Sequence, residues 1–159
     1  MLGAAACGSA RFTPASFPPV SFEAAGAIVG FDLAHAVGNL PLELHAWGVD
    51  FAAWCSYKYL NAGPGGLAGV FIHERHHGRK DLPRFEGWWG HNKSSRFKMG
   101  PDFDPLPTAE AWQLSNPPIW QLASLRASME LYDRAGIANL RARGDLLTSV
   151  FEGLLKREL

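Results

Sequence analysis

The sequence predicts an α/β fold in which a mostly parallel sheet with helices is followed by C-terminal helices. Three apolar runs, at 27–33, 49–56 and 66–73, have the length of strands. The first is continuous rather than alternating, which is typical of a strand buried on both faces of a parallel sheet. From residue 122 onward, apolar residues recur at helical spacing. Strands followed by helices are therefore the expected order.

The first two runs predict a βαβ unit. The first run meets its first charge, Asp32, near its end, and residues 40–48 leave room for a short helix before the second run begins. Two strands joined by such a crossover are expected to be parallel and right-handed. Their carboxyl ends would then meet at one edge of the sheet, where open α/β proteins bind ligands.

The C-terminal part predicts two helices. Apolar residues spaced by 3, 4 and 3 positions mark the first, and Gly136 is placed to end it. Asn116 is expected to cap this helix, with Pro117 at its first position. The apolar positions are Leu122, Leu125, Met129 and Tyr132 in the first helix and Ile137, Leu140, Leu147, Val150, Phe151, Leu154 and Leu155 in the second.

Composition suggests three parts. Residues 1–25 are rich in Ala, Ser, Pro and Gly, with Arg11 and Glu23 as their only charges, and are expected to be a flexible leader. An organelle presequence would need more arginines. Residues 26–118 are expected to form part of a large domain, and residues 119–159 to form helices leading towards a further domain. The apolar face of the last helix needs a partner, which indicates part of something larger.

Charge and cysteine content exclude some classes of function. Of the 159 residues, 15 are basic and 15 acidic, so no basic excess predicts binding to nucleic acid or an anionic membrane. Two cysteines, Cys7 and Cys55, offer no framework of bridges, which favours a reducing, cytoplasmic location. No apolar run reaches the roughly 18 residues of a membrane helix.

Lys58 is the leading candidate for a catalytic residue. It lies in an apolar, aromatic run and is followed by the glycine-rich loop 61–66, which lets backbone approach a ligand. An apolar setting favours the neutral amine, which can attack a carbonyl, and Tyr57 adds a neighbouring hydroxyl. The alternative is a structural lysine at a strand end whose ammonium reaches water.

Asp32 and His35 give Lys58 a chemical context. Pyridoxal phosphate needs a lysine for its aldehyde, a carboxylate to keep its ring nitrogen protonated, and donors for its phosphate. Asp32, expected to be partly buried, suits the ring nitrogen, and His35 would orient that carboxylate or bind the phosphate. The alternatives are a turn residue at a strand end for Asp32 and an ordinary loop histidine for His35.

Two further motifs are weaker. Residues 63–68 match the glycine pattern of dinucleotide-binding loops, but they lead into a strand rather than a helix. His73, Glu74 and His77 match a zinc hydrolase motif that requires both histidines on one helix face. A strand precedes this motif and Gly78 follows it, so a solvated turn is expected and no metal site is predicted.

Trp88 and Trp89 alone are more typical of a core or an interface than of a ligand site.

Several strings together resemble the kynureninase family. The resemblance runs in register from about Ala27 to about Tyr132. The strings are residues 31–39, 54–66, 71–74, 87–91, 96–99 and 115–118. They are specific, because other enzymes of the aspartate aminotransferase fold share the Asp and Lys but not these strings. The resemblance implies part of the large domain of a fold-type I enzyme that depends on pyridoxal phosphate.

The resemblance also implies an activity and roles at the cofactor. Kynureninases hydrolyse L-kynurenine or 3-hydroxy-L-kynurenine to an anthranilate and L-alanine, in tryptophan catabolism and NAD biosynthesis. Lys58 would bind the cofactor aldehyde and move the proton at the substrate Cα. Asp32 would pair with the pyridinium, and Tyr57 and His35 would help to hold the cofactor.

A second group of residues resembles contacts made across the family's homodimer or with the substrate. Trp88 and Asn116 resemble cofactor contacts supplied by the neighbouring subunit. Ser115, Asn116 and His91 lie where the animal-type enzymes recognise the substrate ring, which favours the 3-hydroxy substrate. No nucleic acid or membrane partner is implied.

The departures from the family limit these expectations. Residues 1–25 do not resemble the family's phosphate-binding loop, stacking aromatic and second aspartate, and the sequence ends before the family's small domain with its carboxylate-binding arginine. The chain alone is therefore expected to be inactive or nearly so. The alternatives are another fold-type I enzyme, a desulfurase or aminotransferase relative, and a truncated remnant without catalytic activity.

Overall fold

The computed structural model describes residues 26–159, so the predicted leader at 1–25 lies outside the described residues. The chain divides into two compact units. The first contains residues 26–32 together with Glu43–Ala53 and Gly69–Pro118, and the second contains Leu33–Leu42, Trp54–Ala68 and Ile119–Leu159. The predicted domain boundaries remain a prediction.

A three-stranded sheet is built from β1 (Gly30–Asp32), β2 (Phe51–Trp54) and β3 (Gly69–Ile72), in the order β1-β2-β3. Each predicted run contains one of these strands. β1 and β2 are parallel, as expected, and Asp32 pairs in register with Ala53. The N–H of His73, just after β3, donates to the carbonyl of Asp50, just before β2, at 2.9 Å. β3 is therefore antiparallel to β2, and the α/β class is confirmed with a mixed sheet.

Gly30 shows why the first pair of strands approaches so closely. It faces Phe51 in the register of the sheet. A Cβ added to Gly30 would lie 2.1 Å from the ring of Phe51, so the ring occupies the space that a side chain would fill. The missing side chain thus allows a large aromatic residue to begin β2.

The connection between β1 and β2 forms turns instead of the predicted short helix. The N–H of Trp47 donates to the carbonyl of Glu43 at 2.9 Å, and that of Gly48 donates to His45 at 3.0 Å. Gly48 then takes a φ of +67°. Because nucleating a helix costs more free energy than one turn returns, a segment this short does not continue as a helix.

Residues 74–114 are loop-rich, as expected. This segment contains three short 3₁₀ helices, at Glu74–His76, Arg96–Lys98 and Ala109–Trp112. In the first unit these loops carry most of the tryptophans and histidines that the sequence marks as site candidates.

Both C-terminal helices are present. α1 spans Ile119–Ala135 and α2 spans Ile137–Glu158, with Gly136 between them at a φ of +75°. The N–H of Gly136 donates to the carbonyl of Tyr132 at 2.8 Å, which ends α1 as predicted. Neither helix contains a buried residue, and Trp120 is 83% exposed. Among the described residues, no helix has the length and apolar character needed to cross a membrane.

The predicted cap of α1 is wrong. The helix begins at Ile119, after both prolines, so Asn116 is not its N-cap and Pro117 is not its first residue. A proline disfavours helical backbone at the residue before it, so Pro118 disfavours a helical conformation at Pro117. Residues 116–118 have no regular secondary structure.

Candidate functional site

Lys58 lies in a tight loop that follows β2. The N–H of Asn61 donates to the carbonyl of Lys58 at 3.1 Å, and the N–H of Ala62 donates to Ser56 at 3.0 Å. Asn61 takes a φ of +55°, which is tolerated by asparagine more readily than by most residues. Ser56, Leu60 and Ala62 are buried, so the loop is anchored on both sides of the lysine. We call residues 55–66 the lysine loop.

Gly66 closes the lysine loop over Ser56. A Cβ at Gly66 would lie 2.6 Å from Ser56 Oγ and 2.9 Å from the Cβ of Ala62. Ser56 is only 1% exposed, and its hydroxyl has no hydrogen-bond partner among the described residues. The glycines of the sequence predict that the backbone of this loop lies close to another group. The sequence gives no sign that this group is the buried Ser56.

The structure brings Lys58 and His35 together. Lys58 Nζ lies 3.1 Å from His35 Nε2, although the residues are 23 positions apart. Lys58 is half-buried and His35 is exposed. The neighbouring Tyr57 is 54% exposed. The lysine side chain thus ends on an imidazole in the second unit, which gives it a specific partner rather than only solvent.

Asp32 is the last residue of β1 and is exposed, where the sequence suggests partial burial. The reason is its position at the end of a three-residue strand, beyond which the chain turns. It pairs in register with Ala53, so β1 and β2 end side by side in the first unit. That Asp32 and Lys58 contact the same ligand remains a prediction.

Trp88 belongs to a cluster held by Arg96, a residue to which the sequence assigns no role. Arg96 is buried, and its Nη2 donates to the carbonyls of Trp89 and His91 at 2.8 and 2.9 Å. Its guanidinium carbon lies 5.5 Å from the ring centroid of Trp88 and 5.2 Å from that of Trp89. Hydrogen bonds and cation–π contacts therefore fix the backbone that carries Trp88 and His91.

Both ring nitrogens of His91 are engaged inside the first unit. Nδ1 accepts the backbone N–H of Asp104 at 3.5 Å, and Nε2 lies 3.3 Å from Ser95 Oγ. The Ser95 hydroxyl donates to Asp104 Oδ2 at 2.7 Å. The hydrogen bond from Ser95 outweighs burial and lowers the pKa of Asp104. The predicted substrate contact at His91 thus has two protein partners, and its ring also meets Phe103 edge-on at 5.5 Å.

Ser115 and Asn116 are exposed in the segment before α1. Neither side chain forms a hydrogen bond within the described part of the chain. Their predicted contacts with cofactor and substrate stay predictions.

The histidine motif at 73–77 is a turn, as the sequence suggests. Glu74–His76 form a 3₁₀ helix, so His73 and His77 do not share the face of an α-helix. The His73 ring stacks on His45 at 4.8 Å, and His77 Nε2 lies 3.0 Å from the carbonyl of Ile72. Across residues 26–159, no group of three His, Cys, Asp or Glu side chains is placed to hold a metal ion.

A buried ion cluster that sequence reasoning missed lies before β2. Asp50 accepts the N–H of Val29 at 2.7 Å and bonds from Arg75 at 2.9 and 2.6 Å, and His76 Nε2 lies 2.6 Å from its Oδ1. Arg75 also donates to the carbonyl of Gly48 at 2.6 Å. Burial raises the pKa of Asp50, but these hydrogen bonds outweigh it and leave the pKa below its usual value. The sequence does contain a signal for this cluster, because Asp50 precedes β2 and the adjacent bases Arg75 and His76 follow β3.

The comparisons with known proteins agree with one another. Kynureninase from Myxococcus xanthus is 69% identical over 84% of this chain and 32% of its own length. Kynureninase from Xanthomonas oryzae pv. oryzae is 62% identical over 84% of this chain and 31% of its own length. The chain thus spans about a third of the length of the curated relatives that it matches.

A solved structure supports the fold at lower identity. Cysteine desulfurase from Thermococcus onnurineus superposes with a TM-score of 0.56 at 22% identity, covering 86% of this chain and 33% of that one. The sequence model described as Aminotransferase class-V matches residues 20–158. Since that match spans nearly the whole chain, the protein belongs to the class-V aminotransferase family.

Proposed function

We propose that this chain carries the lysine-bearing part of a kynureninase, which hydrolyses L-kynurenine or 3-hydroxy-L-kynurenine to an anthranilate and L-alanine. The identity of 59–69% to kynureninases supports this assignment. The single observation that carries it is the placement of Lys58 Nζ 3.1 Å from His35 Nε2 in the lysine loop. A desulfurase activity has weaker support, because that likeness is at 22% identity and concerns the fold alone.

The residues present fit pyridoxal phosphate as the cofactor. A half-buried amine beside an imidazole is a suitable donor set for an aldehyde. The exposed hydroxyl of Tyr57 adjoins it in sequence, and the exposed carboxylate of Asp32 ends the neighbouring strand. When bound, the cofactor supplies an electron-withdrawing ring that stabilises negative charge on the substrate carbons.

Each residue has a separate task in this proposal. Lys58 would bind the cofactor aldehyde through Nζ and would move the proton at the substrate Cα. Asp32 keeps the ring nitrogen protonated, because a carboxylate beside that nitrogen favours its charged form. Tyr57 and His35 hold the cofactor through hydrogen bonds.

Trp88 and Asn116 belong to the same proposal as contacts across a homodimer, and Ser115 and His91 join Asn116 as contacts with the substrate. The first two would reach the cofactor of the neighbouring subunit, and Ser115, Asn116 and His91 would meet the substrate ring. Since Ser95 and Asp104 hold both nitrogens of His91, its ring face and edge are the parts that contact substrate. Small-molecule substrates and a cytoplasmic location complete the proposal.

Reductive trapping tests the cofactor assignment. The purified chain is mixed with pyridoxal phosphate and reduced with borohydride, and each lysine-containing peptide is quantified by mass spectrometry. We expect the label on Lys58 in preference to the exposed lysines, and its loss in Lys58→Arg but not in the matched control Lys93→Arg. Equal labelling of all lysines would contradict the proposal.

Ligand competition tests the substrate class. The absorbance of the cofactor-loaded chain is recorded while L-kynurenine, 3-hydroxy-L-kynurenine or L-cysteine is added. We expect the kynurenines to change the spectrum at lower concentration than cysteine. A preference for cysteine would transfer the assignment to a desulfurase.

A further inference from the structure

The hydrogen bond between Lys58 and His35 has a chemical consequence for the lysine. At 3.1 Å, Nζ and Nε2 are close enough to share one proton. A lysine ammonium has no lone pair and cannot attack a carbonyl until it loses a proton. The partner that Nζ meets is a nitrogen able to accept that proton.

No carboxylate competes for this role within the two segments that meet here. Segments 33–42 and 54–68 of the second unit contain no Asp or Glu. A carboxylate would hold the lysine as an ammonium, because an adjacent negative charge stabilises it. An imidazole nitrogen can instead take the proton and give it back.

Other titratable groups lie on these elements or adjoin them. Cys55 Sγ lies 3.8 Å from the carbonyl of Ala34. From α1, Tyr132 reaches the lysine loop through its hydroxyl, which donates to the carbonyl of Tyr59. The titratable groups of these segments, of the helix contact and of the adjoining strand end are Cys55, Tyr57, Tyr59, Tyr132 and Asp32.

We infer that His35 is a catalytic residue that activates Lys58 by proton transfer; the inference rests on the proposed function, because the carbonyl is that of the cofactor. The N–H bond of the ammonium breaks and an N–H bond forms at His35 Nε2. The amine then forms a carbon–nitrogen bond to the carbonyl carbon. The oxygen takes one proton from the amine and one from His35, and leaves as water, so His35 returns to its starting state.

The test measures the rate at which Lys58 captures pyridoxal phosphate, not turnover. Capture is followed by borohydride quenching and peptide mass spectrometry from pH 5 to 10 in the unmodified chain and in His35→Gln. Glutamine can hold the lysine by a hydrogen bond but cannot take its proton. We expect capture near neutral pH to slow by about 10²-fold, the low end of general acid–base catalysis. The difference should shrink at high pH, where hydroxide removes the proton.

A matched control and a rescue separate proton transfer from a structural role. His77→Gln removes an imidazole that lies 3.0 Å from a backbone carbonyl in the first unit, and it should leave capture unchanged. In His35→Ala, added imidazole should restore capture at neutral pH, which a merely structural histidine would not permit.

The possible failures are distinguishable. If Lys58 is captured but His35→Gln shows the same pH profile, or slows equally at every pH, the proton-transfer inference is overturned and the proposed function stands. If Lys58 is not preferred over Lys80, Lys93 and Lys98 in the unmodified chain at any pH, the proposed function fails and the inference fails with it.

Discussion

The two ends of β2 handle charge in opposite ways. Before the strand, Asp50 is 6% exposed and accepts hydrogen bonds from a backbone N–H and an arginine, with an imidazole also in contact. After the strand, Lys58 is half-buried and meets one imidazole. A buried charge with several partners is costly to break from one side, whereas a charge with one exchangeable partner remains available to a ligand. One short strand therefore separates a structural cluster from the candidate reactive group.

Removal of the Asp50 carboxylate tests the structural end and should have the largest effect. In Asp50→Ala, Arg75 and His76 lose their shared acceptor and the N–H of Val29 loses its partner. Breaking a buried ion pair from one side costs about 3–5 kcal/mol. The free energy of unfolding is measured by urea denaturation. As a control, Asp81→Ala breaks an exposed pair with Arg79 and should leave the urea midpoint unchanged. Equal effects would show that Asp50 is not special.

The same carboxylate predicts how stability depends on pH. The pKa of Asp50 in the folded state lies below its unfolded value of about 3.9. A depressed pKa contributes stability above the unfolded pKa and loses it as pH falls through the folded one. The difference in unfolding free energy between the unmodified chain and Asp50→Asn should thus be present at about pH 5 and shrink as the pH falls below about 4. A difference that grows below about pH 4 would contradict this assignment.

Periodicity made most of the fold predictable. The apolar runs locate all three strands, and helical spacing with Gly136 locates both C-terminal helices. The short helix at 40–48 and the cap at Asn116 failed because local backbone rules prevailed. In the short segment 40–48, few helical hydrogen bonds can offset the cost of nucleation, and consecutive prolines delay the start of α1.

The site was predictable in part, for a physical reason. His35 follows β1 and Lys58 follows β2. Because these two strands are neighbours and parallel, their order is enough to bring the two residues together. Arg96 and Asp50 were missed because their roles depend on contacts between loops, and loops have no repeating pattern that fixes which side chains meet. Ser56 was missed because burial of one hydroxyl beneath a glycine depends on the path of the whole lysine loop.

Gly66→Ala tests whether the shape of the lysine loop, which follows β2, depends on glycine at this position. The new Cβ would lie 2.6 Å from Ser56 Oγ, so serine or loop must move. Overpacking of this kind costs about 1–3 kcal/mol, and the loop shift should also slow labelling of Lys58 by aldehydes. Unfolding and labelling are both measured.

Two variants check the cause of that effect. In a Ser56→Ala background, Gly66→Ala should cost less, because the closest contact is gone and the two changes are coupled. Gly100→Ala adds a Cβ with nothing within 4 Å and should change neither measurement. If Gly66→Ala behaves like Gly100→Ala, the loop does not require glycine at this position.

Tyr132→Phe should have the smallest effect, because it removes one hydrogen bond between α1 and the lysine loop. The Tyr132 hydroxyl donates to the carbonyl of Tyr59, which adjoins Lys58 in sequence. A single such bond contributes about 0.5–1.5 kcal/mol. The matched control is Tyr57→Phe, whose hydroxyl forms no hydrogen bond within the described part of the chain and whose loss should cost less than about 0.5 kcal/mol. Urea denaturation of both variants measures how much unfolding free energy each one loses. A larger loss in Tyr57→Phe would mean that the helix does not anchor the lysine loop through Tyr132.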